Sequence, residues 1–166
     1  TATTEIYTLS LRDALPILLI DGASKSYAMT GWRIGFSYTD PEVAKKLTAL
    51  QSQVTSNAAT PSQVAALRAY SDGDASRRSL VEMGAAFRRR RDLVVQRLEE
   101  LLPGVQYVRP GGAFYLYFRV DGFFDADIAD ATAWCSALLE REGVALVPGG
   151  AFGDDRWVRL SFATSD

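Results

Sequence analysis

The sequence predicts a mixed α/β fold, and three features carry that reading. A short apolar run at residues 17–21 leads through a turn of small residues to an alternating stretch at 33–38, the signature of strands. Apolar side chains then recur at near-helical spacing through one long segment, residues 76–102. Beyond it, short strand-like runs flank a single further helix, so the second half reads as an α+β layer of a few strands covered by helices.

Each element has a local cause. The run 17–21 is suited to a buried strand, and Gly22-Ala23-Ser24-Lys25 turns the chain after it. Asp40-Pro41-Glu42 starts a helix, with Asp at the cap and Pro in the first turn, and Val43, Leu47 and Leu50 share one of its faces. Ser56-Asn57 breaks that helix. Thr60-Pro61-Ser62-Gln63 opens the next, which runs to Tyr70, and Asp72-Gly73-Asp74 reads as a polar connector. In the long helix the stripe is Leu80, Met83, Phe87, Val94, Leu98 and Leu101, and Pro103-Gly104 stops it. Strands are expected at 105–108 and 113–120, joined by Arg109-Pro110-Gly111-Gly112. A helix over 125–142 ends at Gly143, and strands follow at 144–147 and 157–162.

Composition narrows the chemistry. Of the 166 residues, 48% are hydrophobic and 23% charged, as in folded proteins with a real core. A net charge of −2 exerts no global pull on nucleic acid or anionic membrane, so neither is expected as a partner. No apolar run approaches the length of a membrane span. The single Cys135 forms no internal disulfide, which suits the cytoplasm. Without histidine, Ser-His-Asp and Cys-His mechanisms are excluded within this chain, and no metal site is expected. Proton transfer near neutral pH falls to carboxylate, lysine, tyrosine or a cofactor.

Both ends are set apart. Ile6-Tyr-Thr-Leu-Ser-Leu-Arg-Asp-Ala-Leu-Pro-Ile17 resembles the translation of a sequencing-adapter oligonucleotide, so residues 1–17 are expected to be a non-native leader. The alternative is a genuine helix over 9–15 stopped by Pro16. Ser165-Asp166 would cap a final helix that does not follow.

The informative stretch is Gly22-Ala-Ser-Lys25-Ser-Tyr-Ala-Met-Thr-Gly-Trp-Arg33-Ile-Gly35. A lysine in a small-residue turn just after a strand can project its amine into a cleft. An arginine eight residues on, at the start of the next strand, can fold back beside it, and glycines 22, 31 and 35 allow close backbone approach to a bulky ligand. Such a pair suits a cofactor bearing an aldehyde and a phosphate, since an amine condenses with the first and a guanidinium fork grips the second. Taken alone the signal is weak, because most lysines and arginines are solvated.

The same stretch resembles, position by position, the lysine-attachment motif of class I and II aminotransferases, and its Ala-Met-Thr-Gly-Trp-Arg-Ile-Gly core is most similar to the bacterial aspartate aminotransferase subgroup. The resemblance continues through Gln51-Ser-Gln-Val-Thr-Ser-Asn57, Phe87-Arg-Arg-Arg-Arg-Asp92, Gly112-Ala-Phe-Tyr115, Val147-Pro-Gly-Gly-Ala-Phe-Gly153 and Val158-Arg-Leu-Ser-Phe-Ala163. It implies the C-terminal portion of a fold type I transferase that depends on pyridoxal 5′-phosphate (PLP). Residues 18–75 would be a remnant of the large cofactor-binding domain, and 76–166 the small α+β domain.

By that resemblance Lys25 holds the cofactor and moves the substrate's α-proton, and Arg33 anchors the phosphate. A family serine at the position of Gly22 is absent here, so a serine contribution to the phosphate would have to come from Ser24. Arg159 sits among apolar or small residues, where an inward guanidinium is costly unless an anion pairs with it, and it matches the family arginine that clamps the substrate α-carboxylate. The rival is an outward arginine on an edge strand. Phe114 and Tyr115 follow the Gly111-Gly112 turn near the family's substrate mouth, where Phe114 is either an aromatic wall or core packing. Ser56 and Asn57 resemble a segment that approaches the neighbouring subunit's phosphate, or they cap a helix. Arg88–Arg91 fan around a helix and read as a solvated face.

The implied activity moves an amino group between an amino acid, best read as aspartate, and a 2-oxo acid, 2-oxoglutarate, in a homodimer. Alternatives are a β-lyase, an aromatic aminotransferase, or the PLP-sensing domain of a transcription regulator. The family's ring-binding aspartate, tyrosine, asparagine, stacking aromatic and glycine-rich phosphate turn precede the lysine strand, and Asp21 lies too close to Lys25 to replace that aspartate. This chain alone is therefore expected to show no transaminase turnover.

Overall fold

The computed structural model describes residues 18–164, so the readings of residues 1–17 and 165–166 lie outside the described residues. The described residues divide into two compact units, 18–80 and 81–164.

In the first unit, β1 (Leu19–Gly22) and β2 (Gly35–Tyr38) form a two-stranded antiparallel sheet whose last pair is Gly22 with Gly35. Between them lie α1 (Ala23–Ser26) and a 3-10 turn, Thr30–Trp32. α2 (Pro41–Val54) starts where the sequence places it, because the Asp40 carboxylate accepts from the Glu42 and Val43 amides, 3.1 Å each. It ends as Ser56 turns left-handed, φ +65°, the backbone that commonly closes a helix. α3 (Thr60–Ser71) sends the Ser62 hydroxyl to the Trp32 carbonyl, 2.7 Å. It also sets Tyr70 edge-on to Tyr27 and Phe36, at ring distances of 4.7 and 5.4 Å.

Two expectations fail here. The strand read as buried is open: Ile20 is 74% exposed, because among the described residues β1 has a single neighbour and β2 is exposed along its whole length. The connector 72–74 vanishes. The Asp72 carboxylate takes the Ala75 amide at 3.2 Å, and α4 (Gly73–Leu101) begins directly behind it, a cap overriding a weak helix former. The boundary between the units falls within α4.

The second unit is a four-stranded antiparallel sheet in the order β3 (Tyr107–Val108), β4 (Tyr115–Arg119), β6 (Trp157–Ser161), β5 (Val147–Pro148). Leu116, Phe118 and Val158 lie on one face and are buried in one cluster with Val95 and Leu98 of α4 and with Ala131 and Cys135 of α5 (Ala131–Glu142). Leu101, placed on the apolar stripe by periodicity, is 72% exposed; Val95 and Leu102 turn inward instead, since the core contacts only part of the helix circumference. α5 begins at Ala131 rather than 125. Asp125 folds its carboxylate onto the Asp127 and Ile128 amides, a local turn that competes with helix, and Asp130 takes the cap by accepting from Ala133 at 2.8 Å. The strands expected at 113–120 and 144–147 shrink to β4 and β5. Ala113 turns left-handed before the first, φ +58°.

Candidate active site

Lys25 lies three residues beyond Gly22 and Arg33 two residues before Gly35, so the β1–β2 register brings both to the same end of the ladder. The segment joining them is tied internally. Ala23 and Met29 are buried, the Thr30 hydroxyl donates to the Ser24 carbonyl at 3.0 Å, and Arg33 Nη1 donates to the Thr30 carbonyl at 3.2 Å. Ser24 takes part through its carbonyl; its hydroxyl makes no hydrogen bond among the described residues.

Arg33 does not open the strand as the spacing suggested. It closes the 3-10 turn with φ +49°, a left-handed backbone that a non-glycine residue holds only under constraint. Its guanidinium meets no carboxylate among the described residues, so four of its five N–H donors remain available. The glycines also do other work. A side chain on Gly22 or Gly35 would press on the opposite strand's backbone, at 3.1 and 3.2 Å, so that pair serves strand approach, whereas Gly31 faces open space.

A cavity of about 1170 Å³ opens in this unit, lined by Arg33, Gln51, Thr55, Ser56, Asn57 and Tyr70 among others. It brings Arg33 together with the segment 51–57. Lys25 is not part of the lining. Asn57 spends its amide on the Ala58 carbonyl, 2.9 Å, which together with the left-handed Ser56 is explained by the end of α2.

In the second unit Arg159 occupies β6, an interior strand between β4 and β5, so it is no edge arginine. It projects opposite to buried Val158 and is half-buried. Its Cζ lies over the Tyr115 ring at 4.3 Å and the Phe152 ring at 4.7 Å, and it makes no ion pair or hydrogen bond among the described residues. Its neighbours differ. Arg119 forks onto Asp121 at 2.7 and 2.6 Å, and Arg156 onto Asp154 at 2.9 and 2.7 Å. The Arg156 guanidinium holds the Asp154 carboxyl at about 2, well below its ordinary value.

Phe114 packs tilted against Phe87 of α4 at 5.5 Å and against Tyr115 at 4.5 Å, part of an aromatic cluster. Phe152, quoted in the sequence only within the motif 147–153 and given no role, stands in the glycine-rich turn before β6. That turn has a steric signature, because a side chain on buried Gly149 would collide with the Asp154 and Trp157 carbonyls and the Tyr117 hydroxyl. Burial, then the nearby Asp154 and Asp155 carboxylates, pushes the Tyr117 phenol up. The arginine run is not uniformly solvated: Arg91 is half-buried, pairs with Asp92 at 2.9 Å and reaches the Pro110 carbonyl at 3.5 Å.

A primary amine and an uncommitted guanidinium at one end of the ladder fit an aldehyde phosphate. The half-buried Arg159 fork fits a carboxylate. No cluster of metal-ligating side chains occurs among the described residues, and none of their helices is long and apolar enough to cross a membrane.

The chain is similar to known proteins over most of its length. The chain is 43% identical over 149 residues to aspartate aminotransferase of Thermotoga maritima, covering 90% of this chain and 36% of that protein. With the aspartate/prephenate aminotransferase of Cereibacter sphaeroides it shares 44% over 155 residues, 90% of this chain and 38% of the relative. The structure superposes on Thermus thermophilus aspartate aminotransferase with maleate at a TM-score of 0.81 and 41% identity, covering 89% of this chain and 37% of the other. The fold is thus that of a portion of a fold type I aminotransferase, and the chain spans somewhat over a third of the length of these relatives. With the family model for aminotransferase class I and II matching residues 2–166, the chain belongs to that family.

Proposed function

We propose that the full-length gene product is a PLP-dependent transaminase that moves an amino group between aspartate and 2-oxoglutarate. The observation that carries this reading is the convergence of Lys25 and Arg33 on one end of the β1–β2 ladder, with the Arg33 guanidinium uncommitted to any carboxylate among the described residues.

Lys25 Nζ would hold the cofactor at its aldehyde, and the same amine would take the proton from the substrate α-carbon. Arg33 would pair with the phosphate, and the Ser24 hydroxyl, which makes no hydrogen bond among the described residues, would assist it. When bound, PLP supplies the electron sink that makes the α C–H bond acidic. Arg159 receives the substrate α-carboxylate as a planar fork and so sets the angle at which that bond is presented. Phe114 contributes an aromatic wall beside it. A homodimer in the cytoplasm completes the reading, supported by the exposed apolar Leu50, Val54 and Leu67 of α2 and α3 and by a single, buried cysteine.

The test is covalent trapping. The full-length product is loaded with PLP, reduced with borohydride and mapped by peptide mass spectrometry. The adduct is expected on Lys25. Lys25→Ala should lose both the adduct and, by on the order of a thousandfold or more, aspartate–2-oxoglutarate turnover. An adduct on another lysine, or none, refutes the assignment.

A further inference from the structure

Among the described residues Arg159 is the one arginine of β4, β6 and the turn between β5 and β6 that takes no carboxylate, although Arg119 and Arg156 close onto Asp121 and Asp154 a few residues away. What holds it instead is two aromatic faces supplied by separate elements. Tyr115 comes from β4: Tyr117 is the direct cross-strand partner of Arg159, so Tyr115 is its diagonal neighbour on the same face. Phe152 comes from the 3-10 turn Gly149–Phe152, which Gly153 closes at φ +92° and the Asp154 amide ties to the Gly149 carbonyl at 3.2 Å. The Phe152 ring stands edge-on to Tyr117 at 6.1 Å, and Tyr117 in turn stacks on Trp157 at 5.2 Å and 14°.

We propose that Tyr115 and Phe152 are positioning residues that hold the Arg159 guanidinium through their ring faces and so leave its N–H edge free for a carboxylate ligand. Contact with a π face attracts the cation without using any of its five donors, whereas an aspartate would use the very edge a ligand needs. Holding the fork in advance removes the rotamer entropy a free arginine loses on binding. Tyr117 and Trp157 buttress the platform. The proposal rests on the reading of Arg159 as a carboxylate receptor, and the test separates the two.

Maleate is the probe, its affinity for the PLP-loaded full-length product measured by calorimetry. Tyr115→Leu and Phe152→Leu are each expected to weaken it roughly tenfold, and Tyr115→Phe, which keeps the ring, to stay within about twofold. Replacing Phe152 by phenylalanines of increasing ring fluorination, which drains the π face with little change of shape, should weaken maleate step by step. A packing role predicts a flat series. In an Arg159→Lys background the leucine substitutions should cost nothing further. If Arg159→Lys loses maleate while the leucine variants and the fluorinated series bind normally, the positioning role is overturned and the receptor reading stands. Should Arg159→Lys itself bind maleate normally, the receptor reading fails. Where a leucine variant does not fold, the fluorinated series decides.

Discussion

Residues 18–80 and residues 81–164 treat their apolar side chains in opposite ways. In the first unit Ala23 and Met29 are the buried hydrophobics, while Leu19, Ile20, Phe36, Tyr38, Val54 and Leu67 stand exposed. In the second, Leu116, Phe118, Val120 and Val158 close onto Val95, Leu98, Ala131 and Cys135 in a continuous core. The difference teaches how each set of candidate site residues is held. Lys25 and Arg33 stand in one connecting segment that is tied by its own hydrogen bonds and a constrained backbone, with the Ser62 hydroxyl of α3 on the Trp32 carbonyl as a longer-range tie. Arg159 stands on a sheet whose other face is packed, so its position is set by long-range register and by the rings above it.

The sharpest way to break this contrast is a pair of truncations. Leu116→Ala should destabilise the second unit by about 2–5 kcal/mol, because it empties a fully buried site. Ile20→Ala should stay within about 0.5 kcal/mol. Denaturant unfolding of the chain, localised by hydrogen exchange, measures both, and equal losses would erase the distinction. Smaller, and sharpening it, is a pair of glycine substitutions. Gly149→Ala must displace backbone carbonyls and the Tyr117 hydroxyl and should cost about 1–3 kcal/mol, whereas Gly31→Ala meets nothing within 4 Å and should change the thermal midpoint little.

The smallest effect is electrostatic and confined to the second unit. Asp154 ionises at about 2 in the fold against an ordinary 3.8, chiefly because Arg156 donates to it. A depressed carboxylate stabilises the fold fully above its unfolded value, and that contribution fades as pH falls from about 3.8 toward 2. The pair is solvent-exposed, so the effect is modest and screened by salt. Asp154→Asn should flatten this part of the stability curve, followed by hydrogen exchange in β6 between pH 2 and 5. An unchanged slope would remove Asp154 from the account.

Much of the local architecture was legible. The Asp40 cap, the Pro103-Gly104 stop, the Gly143 terminus and the strand before Lys25 follow from residue chemistry acting over a few positions. The misreadings share a cause. Asp125 and Asp72 each had two competing uses for one carboxylate, and only the folded chain selects between a turn and a cap. Leu101 and Val95 are both apolar and both on α4, and the position of the sheet decides which of them is covered. Phe152 carried no periodic signal, since it reaches Arg159 through a turn rather than along a strand.

By itself the sequence determined which groups could do the chemistry: an amine at 25, a guanidinium at 33 and another at 159, with no histidine to compete, because side-chain reactivity and short-range spacing are written residue by residue. Only the tertiary structure decided which guanidinium stays open. Arg119, Arg156 and Arg159 are alike as residues, yet two meet an aspartate and the third meets two rings. Partner choice depends on strand register and turn geometry, which no single residue encodes.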